Sequence, residues 1–391
     1  MMASGKGLSL RVGCLFASYF LGYGIFLPFF PLVMQDRGIP VEEIGFIFGA
    51  GNIARIIANP VMTGLSDHTG RRRLSIFLYS LISIAFLIYF LATGGVWNAL
   101  IAVVGLLVFW SPAVPLSDAY ALDVVRNYGA DYGRMRLWGS AAFVVANMIG
   151  GWLILLDSST PAVIAIMIGI LSTGLVAISL PPQVSTAQKG TVREEDRPRL
   201  FLKPAFWLVL GVIGLIQGSH AAFYGFSTLF WKAHDVSEFL IGALWSTGVA
   251  AEIGLFMFAG RLRLTSYPLA LLLAGAAAGI LRWGLFPFAQ DFWSMALLQL
   301  LHTMTFGMAH LGSVGFLSKI VPPKWAATGQ GFLAASNGIL IAIGYAVCGP
   351  LYELNPGYPF WLMAGLSCIA LGGLMALRPL MRRMMADVAS D

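Results

Sequence analysis

Gly64-Leu65-Ser66-Asp67-His68-Thr69-Gly70-Arg71-Arg72-Arg73 joins two long apolar runs and carries the plan of the whole chain. A span needs ~20 apolar residues to cross a hydrocarbon core of ~30 Å. The runs on either side of this segment, 41–65 and 73–93, both meet that length. Between them an aspartate closes one helix, a glycine turns the chain and arginines open the next. Such a combination can hold neighbouring helices in one gating state, with Gly64, Asp67, Gly70, Arg71 and Arg72 as its parts. The arginines also act as a topology signal.

The same alternation runs through all 391 residues. Apolar runs fall at 12–34, 41–65, 73–93, 97–122, 136–156, 161–180, 205–231, 239–260, 267–287, 291–318, 326–349 and 357–378. The first is longer than a signal-peptide core and lacks a small-x-small cleavage site, so it reads as a retained span. Charged residues make up 11% of the chain, against about 25% in soluble domains. So few charges could not cover the surface of a soluble protein of this length. The net charge of +6 does not point to nucleic acid, because the basic residues sit in short loops beside the apolar runs.

Threading twelve spans with the amino terminus inside places twenty of the 24 Lys and Arg residues on the inner side. Only Arg37 and Lys232 fall outside, while Arg55 and Arg282 lie within spans. This distribution satisfies the positive-inside rule and puts both termini in the cytoplasm. The expected fold is an all-α membrane protein of twelve transmembrane helices in two pseudo-symmetric six-helix bundles, 1–180 and 205–391. The charged, proline-bearing stretch 181–204 reads as a cytoplasmic linker.

The halves echo each other. Tyr23-Gly24 matches Tyr224-Gly225, and Ile44-Gly45 matches Ile241-Gly242. Ten residues beyond Gly45 and Gly242 stand Arg55 and Glu252. Weak internal repetition of this kind is typical of transporters with a site between repeats.

A charge in hydrocarbon costs at least ~2.5–3.5 kcal/mol, so ionisable residues there usually face a protein interior or a watery path. Arg55, Asp118, Glu252 and Arg282 are such residues, with His220, His302 and His310. Arg55 lies twelve residues before Asp67, about 18 Å from the helix end at ~1.5 Å per residue. A mid-membrane arginine can grip a substrate carboxylate through two parallel hydrogen bonds, or pair with Glu252. Glu252 is either a proton carrier or a permanent salt-bridge partner; a buried carboxylate can exchange a proton near neutrality. His310 reads as a hydrogen-bonding core residue. Tyr19, Tyr23, Phe26, Phe29 and Phe30, and later Phe223, Tyr224 and Trp231, could line a cavity for a flat solute or face lipid. Cys14, Cys348 and Cys368 read as small core residues at no metal-like spacing. No Walker, zinc or nucleophile–base motif is present in the sequence, so neither an enzyme nor a bound cofactor is expected, and an ion gradient is the expected energy source.

The segment 64–73 resembles the signature of the major facilitator superfamily, with two departures: Thr63 stands at the usual first glycine, and His68 replaces a basic residue. The stretches Tyr23–Phe29, Asp131–Ser140 and Gln217–Ser227 resemble the phenylpropionate permease group, related to lactose permease and other sugar–proton symporters. That resemblance implies proton-coupled uptake of a small organic solute. A bacterial inner membrane is the expected location, and nothing in the sequence demands more than a monomer. The resemblance also implies that Asp118 and Arg136 hold the substrate's polar groups, with Phe143 near the place of a sugar-stacking tryptophan. The bland alternative for Asp118 and Arg136 is a helix-locking ion pair. By the same resemblance, Glu252, Arg282 and His302 match the symporters' proton-coupling cluster. Thr305, His220 and Gln299 replace three of its charged members. Uptake of an aromatic or other organic carboxylate leads; sugar or nucleoside symport, efflux of hydrophobic compounds, and a receptor or lipid-handling role follow.

Overall fold

In hydrocarbon a backbone N–H or C=O has no water to bond, so a lone spanning segment must be a helix. The computed structural model describes residues 5–155, 159–182, 199–259, 262–322 and 325–387, and those residues are almost entirely helical, with no strand among them. Eleven helices among them are long and apolar enough to cross a membrane. The remaining expected span, 291–318, is a composite. It is built from α12 (Phe292–Leu300), a π-helical turn (Thr303–Met308) and α13 (Ala309–Ile320). With it, the twelve-span layout is complete.

Two other spans are also interrupted. α4 (Val96–Trp110) and α5 (Ala113–Tyr128) meet at Ser111-Pro112, where proline lacks the N–H that would continue the ladder. α8 (Pro204–Gly218) and α9 (Ala221–Ala233) meet at Ser219-His220. The remaining helices are α1 (Gly5–Asp36), α2 (Val41–Thr69), α3 (Arg72–Ala92), α6 (Tyr132–Leu155), α7 (Thr160–Ser179), α10 (Glu238–Ala259), α11 (Pro268–Leu285), α14 (Ala326–Leu354), α15 (Tyr358–Ala376) and α16 (Arg378–Asp387). The loop expected between the fourth and fifth spans shrinks to residues 129–131, because a helical ladder does not stop where the apolar run does. Of the expected linker, residues 183–198 lie outside the described residues.

The chain forms two compact units, 1–186 with 224–246, and 187–223 with 247–391. In the first, α1 packs along α6 and α7, α3 along α7 and α4, and α2 along α4. Glycine sets the closeness of these crossings. A Cβ on Gly169 of α7 would stand 2.6 Å from the Gly22 nitrogen of α1, and one on Gly24 of α1 would stand 2.8 Å from the Phe143 carbonyl of α6. The start of α10 meets α6 equally closely. A Cβ on Gly242 would lie 2.3 Å from the Asn147 carbonyl, and the Ser246 hydroxyl donates to the Val144 carbonyl at 3.1 Å.

In the second unit, α11 packs on α15 and α13, and α8 on α14 and α15. Its core includes Phe206, Ile213, Leu272, Phe316 and Leu374. The aromatic residues of the first span, left open between lipid and interior, lie inside: Phe26, Phe29 and Phe30 are buried, as are Phe223 and Trp231. Trp97 and Trp293, at the starts of α4 and α12, are instead 73% and 75% exposed, as interfacial anchors are. Of the cysteines, Cys348 is buried, whereas Cys14 and Cys368 face outward and are not core residues. An apolar thiol is equally at home against lipid.

Gly169→Val should lower the melting temperature of the detergent-purified protein, because backbone rather than a movable side chain blocks the new atoms. Overpacking of this kind costs roughly 1–3 kcal/mol. Gly254→Val, on α10 with nothing within 4 Å of a built Cβ, should leave melting within error of the unaltered protein.

Candidate functional site

In the first unit the chemistry gathers on α1, α4, α5 and α6. Tyr19, Phe20, Tyr23 and Phe26 occupy successive positions along α1, close enough to one another for ring contact. Trp110 closes on three of them, with ring centroids 5.4 Å from Tyr19, 5.8 Å from Tyr23 and 5.4 Å from Phe26. Phe143 of α6 stands 6.4 Å from Phe20 and 6.4 Å from Tyr23. The Trp110 indole N–H is buried without a partner among the described residues, as is the amide of Asn147, one turn beyond Phe143. A buried unpaired donor is rare enough to need a reason.

Charge borders this cluster. The Arg136 guanidinium lies over Phe20 at 4.2 Å and over Phe16 at 5.5 Å, a cation–π geometry. Gly139 makes the room, since a Cβ there would come within 2.8 Å of Arg136 Nη1. Tyr132, which opens α6, donates its hydroxyl to Asp118 Oδ1 at 2.9 Å. Arg136 acts electrostatically on both Asp118 and Tyr132. Asp118 and Arg136, far apart in sequence, therefore do share one neighbourhood, with Tyr132 as a common neighbour. Arg55 is half-buried on α2 and within electrostatic reach of Tyr19, as are Arg136 and Asp118.

The 64–73 segment folds as its residues dictate. Gly70 adopts φ 65° and ends α2, its N–H returning to the Asp67 carbonyl. Arg72, rather than Arg71, makes the polar contacts. Its Nε donates to Asp67 at 2.8 Å and its Nη1 to Asp123 of α5 at 3.0 Å. Arg73 donates to the carbonyls of Ile178 and Leu180 at the end of α7. Arg72 thus ties the start of α3 to the end of α2 and to α5, and Arg73 ties it to the end of α7. Asp123 was not legible as a partner; its only sequence signal is an acid on the cytoplasmic side of the fourth span.

In the second unit Arg282 of α11 is fully buried. Its Nη2 donates to Gln299 Oε1 at 2.8 Å, and its Nη1 to Thr305 Oγ1 at 3.0 Å and to His302 Nδ1 at 3.1 Å. The Phe223 and Trp283 rings lie 4.6 and 4.4 Å from its central carbon. Guanidinium can only donate, so His302 Nδ1 must be the acceptor. The neutral ring then carries its proton on Nε2, which faces Glu252 Oε2 at 3.6 Å. His220 Nδ1 lies against the Ile216 and Gln217 carbonyls at 3.2 and 3.3 Å. Carbonyls only accept, so that nitrogen donates, and a neutral His220 offers Nε2 to the Thr305 hydroxyl at 3.1 Å. The π turn carries Thr305 into this network. Glu252, Arg282, His302 and His220 are brought together, joined by the substituted positions Thr305 and Gln299.

Of the other expected site residues, Tyr224 stacks on Trp245 at 6.2 Å within the first unit. His310, read from sequence as a hydrogen-bonding core residue, is exposed instead on α13, and its ring stacks on Phe306 at 6.1 Å. Phe306 in turn stacks on His302 at 5.3 Å.

Long apolar helices with buried and half-buried cations, carboxylates and histidines inside them define a multi-pass membrane transporter. Residues 10–363 match the MFS_1 like family, and the chain belongs to that family. It is 30% identical over 366 residues to the "Probable 3-phenylpropionic acid transporter" of Escherichia coli (strain K12), covering 93% of this chain and 95% of that protein. It is 26% identical to the maltose permease of Geobacillus stearothermophilus, covering 82% of each. The crystal structure of nucleoside transporter NupG superposes with a TM-score of 0.80 over 95% of this chain and 98% of that one, at 18% identity. The protein is a major-facilitator transporter and not an enzyme.

Arg72→Gln should lower thermal stability by about 1 kcal/mol, the scale of a partly exposed ion pair. Arg71→Gln should be close to neutral, since the Arg71 side chain caps nothing. Melting of the two purified variants side by side measures the difference.

Proposed function

We propose that this protein takes up a small aromatic or other organic carboxylate together with a proton, in the cytoplasmic membrane of a bacterium, with both termini inside. The observation that carries the reading is the direction of the hydrogen bonds at His302. Arg282 occupies the lone pair of Nδ1, so an incoming proton on the ring would face an N–H and sacrifice that bond. Glu252, at the other side of the ring, has a carboxylate free of that conflict, and it is the group that takes the proton. Arg282 holds the imidazole in one tautomer, and Thr305 and Gln299 hold Arg282.

The substrate half of the reading rests on the first unit. Arg136 supplies a cation for a carboxylate, with Arg55 as a second; the rings of Tyr23, Phe20, Trp110 and Phe143 supply faces for an aromatic body. The Trp110 N–H and the Asn147 amide supply hydrogen-bonding groups otherwise unsatisfied. The 30% identical relative bears a phenylpropionic acid transporter's name, which supports the same substrate class. Coupling requires only that the proton bind the substrate-loaded form better than the empty one.

Radiolabelled phenylpropionate uptake into proteoliposomes, with and without an inward proton gradient, tests both halves. The unaltered protein should accumulate the label when the gradient is imposed. Glu252→Gln should abolish accumulation yet retain exchange. His302→Gln keeps an acceptor and a donor but no basic ring nitrogen, and should retain slowed, coupled accumulation. Loss of coupling in His302→Gln with retention in Glu252→Gln would reverse the assignment. Failure of the unaltered protein to move the label, with gradient-driven uptake of a radiolabelled neutral sugar instead, would replace the carboxylate with a sugar.

A further inference from the structure

A cavity of about 300 Å³ lies where α11 begins, α13 ends and α16 crosses them. Its polar side carries Lys319, Arg378 and Arg382, and its apolar side carries Leu269, Leu273 and Met385. Arg378 and Arg382 are one helical turn apart, so both lie on the same face of α16. Lys319 is placed by a 2.9 Å hydrogen bond to the Ser266 carbonyl in the short turn before α11. Among the described residues no carboxylate lines this cavity, and none forms an ion pair with these three cations. The α16 helix is anchored from its other face: Met381 is fully buried, and Leu380 and Met384 pack against the core of the unit.

We propose that this cavity binds the phosphate of an anionic phospholipid from the cytoplasmic leaflet. Three cations converging on one cavity without an acid fit a phosphate diester, which Arg grips through parallel donors. A free phosphate ion would use only the polar side. The apolar wall along α11 is what a lipid adds, since it gives the first methylenes of an acyl chain a surface to follow out of the cavity. The placement of the basic loops puts this end of α11 and α13 on the cytoplasmic side, where anionic lipids attract basic clusters beside membrane helices. The site is separate from the residues proposed for substrate and proton, and it stands or falls independently of that reading.

Native mass spectrometry of the delipidated full-length protein, with phosphatidylglycerol, phosphatidylethanolamine or inorganic phosphate added back, tests the proposal. Phosphatidylglycerol should be retained in preference to phosphatidylethanolamine. Arg378→Gln with Arg382→Gln should weaken that retention roughly 25-fold, about fivefold for each arginine removed. Lys319→Gln, which leaves α16 untouched, should weaken it about fivefold. A control with the same charge loss elsewhere, Arg126→Gln with Arg134→Gln, should retain the lipid. Equal loss in the control would mean bulk charge attraction and would overturn the site. Equal retention of phosphatidylethanolamine, or displacement of the lipid by equimolar inorganic phosphate, would overturn the assignment to an anionic lipid.

Discussion

The constraint on which everything else rests is that hydrocarbon offers no water to a backbone amide. It makes the chain helical from end to end of its described segments, and it makes each interruption of a helix conspicuous. Among the described residues three spans are interrupted, and polar side chains bond at the breaks. At the first break the Ser111 hydroxyl donates to the Asn59 side-chain oxygen at 2.7 Å. At the second the Ser219 hydroxyl donates to the Ile216 carbonyl and accepts from the Trp283 indole. The third is the π turn that carries Thr305. Each interruption adjoins a residue of the candidate site: Trp110 before the first, His220 at the second, His302 at the third.

A second consequence of the same constraint is the organisation around Arg282. A buried guanidinium is tolerated only when its charge and its N–H groups are met locally. Gln299, Thr305 and His302 accept its hydrogen bonds while two aromatic faces flank the cation. Because the cation can only donate, it imposes a direction on every bond around it, and that direction reaches Glu252 through the imidazole. Arg136 presents the opposite case. It is half-buried, with Phe20 against it and Asp118 and Tyr132 within its electrostatic reach. The two arginines are placed differently: one is enclosed in a hydrogen-bond network that reaches His302, the other borders an aromatic cluster.

The spacing of glycines links this chemistry to packing. Gly22 and Gly169 bring α1 against α7, and Gly24 brings α1 against α6. Those contacts set Tyr19, Tyr23 and Phe143 at ring-to-ring distances. Gly139 leaves the space that the Arg136 guanidinium occupies. Closely approaching backbones therefore hold the aromatic cluster, and no long loop is needed to position it.

Much of the plan was legible without coordinates. Twelve apolar runs, their flanking basic residues and the 64–73 segment determine a twelve-span facilitator, because length and charge asymmetry act locally along the chain. That Glu252, Arg282, His220 and His302 lie inside spans was also legible, since an ionisable residue in an apolar run announces itself. What sequence could not supply was direction and partnership. Arg71 and Arg72 read alike, and only the approach of α5 singles out Arg72 by bringing Asp123 to it. His302 could have carried its proton on either nitrogen, and only the placement of Arg282 against Nδ1 decides. Trp110 carries no mark of its own within the 97–122 run, and only the packing of α1 against it brings it to the aromatic cluster. Apolar length and flanking charge are properties of single segments and so are written in the sequence. Hydrogen-bond direction and ion-pair choice belong to pairs of segments, and only their packing together decides them.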